Sequence, residues 1–198
     1  FVGNPDLDPE TSKTGEIAVQ YYGDKIRAGL TLFRNEVEDL IQTNCIVNCA
    51  SRFGREFEYI NVNEARIDGV EFDLSATLNP SFDLSFNLTH LDAENRTNGE
   101  ELANRPKLSA NAKLGWHSVD NSLSVSLRGQ YIGEQYEDGN DLPDYSLWHF
   151  NLRKRINDTF SLRAGVDNIG NERLADKDEN FSFEERGRFF YMGLDISF

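Results

Sequence analysis

Two cysteines, Cys45 and Cys49, are separated by Ile-Val-Asn. Two chemistries are open at that spacing. One is a small disulfide loop formed in an oxidising compartment. The other is a pair of thiolates in a metal site, which would need further ligands. No histidine lies near them, so the disulfide is the preferred reading and no metal is expected. The three histidines, His90, His117 and His149, are scattered along the chain. Serines are plentiful but alternate with apolar residues, and none has a histidine at a spacing that suits a nucleophile and its base. An enzyme is therefore not expected. Two acidic stretches, residues 138–141 (DGND) and 176–180 (DKDEN), are dense in oxygen ligands. Neither matches a calcium-binding loop, and both are expected to be solvated surface loops. What remains is a concentration of two Arg and two Phe within residues 52–57 of an otherwise acidic chain.

The elements that must position these residues follow from pattern more than from composition. Hydrophobic residues make up 38% of the 198, and no apolar run approaches the roughly 20 residues that a membrane helix needs. A membrane-spanning strand places only every second residue in lipid, so its signal is diluted. With 14 Phe, 7 Tyr and 2 Trp against a single Met, the composition suits alternating strands with aromatic girdles. The net charge of −14 leaves no basic field to neutralise phosphates, so no nucleic-acid partner is expected.

Period-2 alternation recurs along the whole chain. Leu123, Val125, Leu127, Gly129 and Tyr131 share one face, with Ser122, Ser124, Ser126, Arg128 and Gln130 on the other. The pattern predicts nine strands, at residues 14–22, 26–42, 57–78, 82–94, 106–118, 122–137, 144–156, 159–171 and 187–198. Their connections alternate between short turns (23–25, 79–81, 119–121, 157–158) and longer loops (45–56, 95–105, 138–143, 172–186). Short turns at one end and long loops at the other are the rhythm of an outer-membrane barrel. On this topology the turns and Phe198 face the periplasm and the long loops face outside. Outward faces carrying Trp116, Trp148, Phe150, Leu152 and Phe190 suit lipid. Lumen-facing Arg128, Arg153 and Arg163 are expected to be structural, pairing with Glu71, Asp73, Asp167 or Asp195 across neighbouring strands, or with a domain seated inside the barrel. Nine strands cannot close a single-chain bacterial barrel, which has an even count, and bare edges in lipid are costly. The expectation is therefore part of a larger barrel. No leader precedes Phe1 and the chain opens in loop-like sequence, which reads as a fragment or a processed product.

The closing residues 191–198 (YMGLDISF) resemble the C-terminal recognition signal of outer-membrane barrels. Tyr191 is followed by Gly193, then alternating hydrophobics through Ile196 to the terminal Phe198. Residues 4–12 (NPDLDPETS), 59–71 (YINVNEARIDGVE), 164–172 (AGVDNIGNE) and 187–191 (GRFFY) resemble, in order, four stretches of the TonB-dependent outer-membrane receptors. Within that family, residues 66–71 and 181–188 (FSFEERGR) resemble the colicin I receptor and the catecholate ferric-siderophore receptors. The Cys45–Cys49 pair resembles a loop cystine of some of these receptors.

The resemblance implies an all-β, antiparallel transmembrane β-barrel of 22 strands, of which residues 1–198 supply about the last nine. The plug domain and the TonB-contacting segment would lie upstream, outside this chain. It further implies TonB-driven import of a ferric siderophore across the bacterial outer membrane, with lipid and the rest of the receptor as partners, and colicins or phages as further users of the loops. The siderophore is a transported ligand, and no cofactor is expected. Ferric catecholates are anionic with aromatic ligands, so their vestibule should offer guanidinium and ammonium groups with aromatic rings. The loop candidates are Arg52, Phe53, Arg55, Phe57, Arg96, Arg105 and Tyr136. A haem or other nutrient receptor of the same family is the alternative, and would want an outward histidine. On the predicted topology only His90 is near the outer rim. A non-transport barrel, adhesin or hydrolase, is the remaining class.

Overall fold

The structure, a computed structural model, describes residues 1–51, 53–137 and 139–197, and for residues 62 and 63 the main chain alone. Among them the elements are β1 (Thr11–Tyr22), β2 (Ile26–Val47), β3 (Glu56–Asn79), β4 (Phe82–Asn95), β5 (Leu108–His117), β6 (Leu123–Ile132), β7 (Gln135–Glu137), β8 (Asn140–Leu142), β9 (Tyr145–Arg155), β10 (Phe160–Asp167), α1 (Leu174–Lys177) and β11 (Phe189–Ile196). Nine of the strands form one antiparallel sheet in the order β1-β2-β3-β4-β5-β6-β9-β10-β11, while β7 and β8 pair only with each other. The nine expected strands are therefore present in the expected order.

Register explains the alternation. Across the sheet Val19, Leu30, Phe72, Leu88, Ala110 and Tyr131 lie in one row. Phe86, Ala112, Gly129 and Trp148 form the next, and Leu84, Leu114, Leu127, Phe150, Val166 and Phe190 the one below. One face of the sheet is thus a continuous apolar band. Along β5, from Leu108 to Trp116, the band measures about 26 Å; tilted by ~40°, it is ~20 Å tall, comparable with the ~25 Å lipid-facing band of membrane barrels. The opposite face carries Asp73, Asn87, Asn111 and Gln130 in one row, and Ser75, Ser85, Lys113, Arg128 and His149 in another.

The short turns are closed locally. Gly23 donates its N–H to the Ile26 carbonyl at 2.8 Å. Ser81 N–H donates to Asn79 Oδ1 at 2.9 Å, and Asn157 Oδ1 accepts from both Thr159 (3.0 Å) and Phe160 (2.8 Å). Between β5 and β6, Asp120 Oδ1 accepts the Ser118 hydroxyl at 2.5 Å and the Ser122 N–H at 3.1 Å. These bonds hold the Asp120 carboxyl well below the usual carboxylate range. Asx turns of this kind fix hairpin register without an apolar contribution.

At the other end, β2 and β3 continue far beyond the band. Above Leu32 and Val70 their apolar face turns to charge. Arg34 grips Asp68 with two hydrogen bonds (Nε–Oδ1 2.6 Å, Nη2–Oδ2 2.8 Å). Arg66 pairs with Glu36 at 3.1 Å and Lys13 with Glu38 at 3.4 Å. Such exposed pairs add little stability; their position marks where the apolar band stops.

Two expected strand ends need correction. The strand expected over 122–137 ends at Ile132. Gly133 donates its N–H to the Leu108 carbonyl at 2.7 Å, and a Cβ there would lie 2.8 Å from that oxygen. The chain then leaves the regular sheet for the β7–β8 hairpin, held to the β4–β5 loop by the Lys107 N–H donating to the Glu134 carbonyl at 3.1 Å. The strand expected to 171 ends at Asp167. Asn168, buried and with φ of 50°, turns the chain while donating to the carbonyls of Glu172 (2.8 Å) and Arg186 (2.9 Å). In the loop that follows, residues 176–180 are largely exposed, as expected, while Leu174 and Phe181 on either side are buried against Leu142, Tyr145 and Leu147. Of the lumen-face cations, Arg163 reaches Asp195 at 3.7 Å as expected; Arg128 and Arg153 form no ion pair among the described residues, and their other expected partner, the domain inside the barrel, lies outside this chain.

Candidate ligand vestibule

All the longer connections lie at the end of the sheet opposite the short turns. Two of them fold back over its polar face. The β4–β5 loop inserts Leu102 against Val37, Leu40 and Ala65. The β10–β11 loop inserts Leu174 and Phe181 as described, and Lys177 Nζ donates to the Asp144 carbonyl at 2.8 Å. The β7–β8 hairpin stands between them, tied by the Asn104 N–H to the Tyr136 carbonyl at 2.8 Å. Together they build part of a vestibule wall.

The β2–β3 tip is organised by its own chemistry. Cys45 and Cys49 are joined through their sulfurs with Cα atoms 5.7 Å apart. Asn48 (φ 54°) donates its side-chain amide to the Gly54 carbonyl at 3.1 Å. Arg55 Nε donates to the Ser51 carbonyl at 2.5 Å. Phe53 projects into solvent with 83% of its surface exposed. Phe57 is occupied, its ring stacked on Phe1 at 5.5 Å. Arg52 lies outside the described residues.

The other candidates sit lower. Arg96 donates its N–H to the Glu64 carbonyl and its guanidinium to Glu94 at 3.0 Å. Arg105 Nη1 donates to the Ala103 carbonyl at 3.1 Å. Glu64 is eight residues below Glu56 along β3, so the two groups are separated by about 26 Å. The structure brings Arg105 and Tyr136 onto adjoining loops, and does not bring them to the Arg55–Phe57 tip.

Sequence reasoning missed an acidic recess of 490 Å³ between these loops, lined by Glu101, Lys107, Glu134, Gln135, Asp141 and Asp178 among others. Lys107 Nζ meets Glu101 at 2.6 Å, and its pKa is raised chiefly by that bond, then by Glu134 and Asp141. Four carboxylates against one committed ammonium repel an anion. The buried Leu102, Leu174 and Phe181 that position this wall are isolated apolar residues in polar loops. That isolation was their signal in the sequence.

None of the histidines projects into the vestibule. His90 pairs with Val70 and Leu108 on the apolar face, His117 lies near the short turns, and His149 is buried on the polar face with Nδ1 3.0 Å from Asp167. In the closing strand, Tyr191 donates its hydroxyl to Asn151 Oδ1. Gly193 pairs with Arg163 and Ile196 with Phe160. Phe198 lies outside the described residues.

A two-faced antiparallel sheet with short turns at one end and a folded vestibule at the other is matched in known proteins. The family model "TonB dependent receptor-like, beta-barrel" matches residues 1–169. The chain belongs to the TonB-dependent receptor β-barrel family. Among receptors similar to it, the iron-regulated outer membrane virulence protein of Vibrio cholerae serotype O1 is 31% identical over 99% of this chain and 32% of its own length. The ferric enterobactin receptor PirA of Pseudomonas aeruginosa is 27% identical over 100% of this chain and 29% of its own. The crystal structure of a variant ferric enterobactin receptor from P. aeruginosa, in complex with enterobactin, superposes with a TM-score of 0.76 at 26% identity, over 96% of this chain and 32% of that one. The chain spans about a third of the length of the relatives it matches, and its open nine-stranded sheet is a section of the receptor barrel wall.

Proposed function

We propose that this chain is the closing section of an outer-membrane receptor that binds a ferric catecholate siderophore at its outer vestibule and imports it with TonB-derived energy. The observation that carries this reading is the match, over nearly the whole chain, to receptors named for ferric enterobactin, including one in complex with enterobactin. The apolar band supports an outer-membrane position. In the vestibule, the acidic recess disfavours an anion near Glu101 and Asp178. The ligand's charge is instead assigned to Arg55 at the β2–β3 tip and to Arg52 of the same sequence cluster, with Phe53 offering an exposed ring. Haem is disfavoured by the placement of His90 and His149 away from the vestibule.

The test uses the complete receptor. Ferric enterobactin binding is measured by quenching of intrinsic fluorescence for wild type and for Arg52→Ala/Arg55→Ala. Loss of two charge-assisted contacts should weaken binding by at least roughly tenfold. Unchanged affinity removes these arginines from the site, and a wild-type receptor that binds haem but no ferric catecholate refutes the assignment. Growth on ferric catecholate that persists after deletion of TonB would remove the energy coupling.

A further inference from the structure

Above Glu38 the strand β2 no longer has β1 beside it, and above Ala65 β3 no longer has β4. The two continue together as a projecting hairpin, in which Asp39–Val47 of β2 extend about 30 Å. A two-stranded hairpin is at best marginally stable by itself. This one also departs from strand geometry where its support ends, since Asp39 has φ of 58°. Residues 1–10 wrap across it. They begin along the free margin of β3, where Val2 N–H donates to the Phe57 carbonyl at 2.7 Å and the Phe1 ring stacks on Phe57 and Tyr59. Asn4 Nδ2 donates to the Tyr59 carbonyl at 2.9 Å. They end on the opposite margin, that of β2, where Glu10 Oε1 accepts the Ile41 N–H at 2.6 Å. Midway, Asn61 takes both main-chain groups of Asp8: its Oδ1 accepts the N–H at 2.9 Å and its Nδ2 donates to the carbonyl at 3.0 Å. The same Nδ2 donates to the Asp39 carbonyl at 2.6 Å. One side chain thus joins the crossing segment to the break in β2.

We infer that residues 1–10 are a clasp across the projecting hairpin and that Asn61 is its positioning residue, setting the posture in which the tip presents Arg55 and Phe53 to the cargo. The inference rests on the siderophore reading above and deepens it, because it assigns ligand affinity to residues that need not touch the ligand. Without the clasp, Asp39 is a pivot and the tip samples many orientations, so binding must order it. With the clasp, that ordering is complete before the ligand arrives, and affinity gains accordingly. The contacts on both margins and at the middle belong to one short segment. Breaking any of them frees the others, so the clasp opens as a unit.

The experiment uses the complete folded receptor and compares wild type with Asn61→Ala, Glu10→Ala and the double variant. Hydrogen exchange is read peptide by peptide, and ferric enterobactin binding by fluorescence quenching. In Asn61→Ala, exchange should accelerate roughly tenfold in residues 1–5 and 40–47, whose amides the Asn61 side chain does not bond. Residues 123–132, in the apolar band, should exchange as in wild type. The Kd for ferric enterobactin should rise roughly tenfold in each single variant and no further in the double, because either break frees the same clasp. Unchanged exchange in residues 40–47 overturns the inference, as do losses that multiply to roughly a hundredfold in the double variant. Accelerated exchange with unchanged affinity overturns the positioning role, and acceleration in residues 123–132 overturns a device confined to the tip. A wild-type receptor that binds no ferric enterobactin refutes the function itself, while the exchange measurements still decide whether the clasp opens as a unit.

Discussion

Leu127→Arg tests the inside–outside assignment of the whole sheet. Leu127 lies at the middle of β6, directly between Leu114 and Phe150, with two further apolar-face residues towards each end of its strand. It therefore sits near mid-height of the band. An arginine at the midplane of a membrane barrel costs about 2–4 kcal/mol, falling to 0–1 near the interfaces. The neighbouring Ser126→Arg moves the same side chain to the polar face, beside Gly115 and Asn151. There it meets water and some repulsion from Arg153, and should cost about 1 kcal/mol or less. The assay is the urea midpoint of the complete barrel in lipid vesicles, followed by the gel mobility difference between folded and unfolded forms. Equal costs for the two variants, or a larger cost for Ser126→Arg, would refute both the parity and the membrane placement.

Three further outcomes follow from named contacts. Gly165→Val should cost about 1–3 kcal/mol through overpacking, because a Cβ there would stand 2.4 Å from the Tyr191 ring; near-normal folded yield would show that Tyr191 can move aside. Asp120 is fully solvent-exposed and its carboxyl is held below the ordinary range by Ser118 and Ser122. Its contribution is therefore complete above the unfolded value near 3.9, and is lost as pH falls below that towards the folded value. Unfolding followed from pH 6 to pH 2 should show that loss in wild type and a flatter response in Asp120→Asn. Reducing Cys45–Cys49 releases a loop whose closure is worth about 2 kcal/mol in the unfolded chain. Proteolysis within residues 46–55 should accelerate and the barrel's urea midpoint should fall; a constant midpoint would show that the closed tip gains as much freedom in the folded barrel as in the unfolded chain.

Strand number, order and facing were legible in the sequence because one face of each strand meets an apolar environment over its full width. A single-residue slip would have inverted Leu123 through Tyr131 against Ser122 through Gln130, so the pattern carries its own register. Three of the four turns were legible for a similar reason: Asn79, Asp120 and Asn157 bond their own main chain within three residues. What was not legible depended on contacts between segments remote in sequence. Nothing near Gly133 announces that the regular pairing with β5 stops at Leu108 and that the next residues turn into a hairpin of their own. Nothing in residues 172–186 says that Leu174 and Phe181 have Leu142 and Leu147 to pack on. The candidate site was the least legible part. Arginine and aromatic content marked the loops, but the eight-residue offset along β3 between the tip and Arg96 comes from strand length, and the acidic recess arises only where three loops meet.

The sheet is a meander in which every strand of the wall lies beside its neighbour in sequence, the β10–β11 connection of residues 168–188 being the longest detour. The ordering entropy of most pairings is therefore that of a short loop, and hairpins such as β9–β10 can zip quickly and independently. Closing the complete cylinder is different in kind: on the proposed reading of this chain as the closing section, β11 must meet a strand far upstream in sequence. Until that seam forms, its row of unpaired main-chain groups faces either lipid, where it is costly, or another copy, where it would template wrong pairing. The kinetic hazard of the barrel is thus concentrated at its closing seam, and a helper that holds that margin during insertion would accelerate assembly without touching any contact in the finished wall.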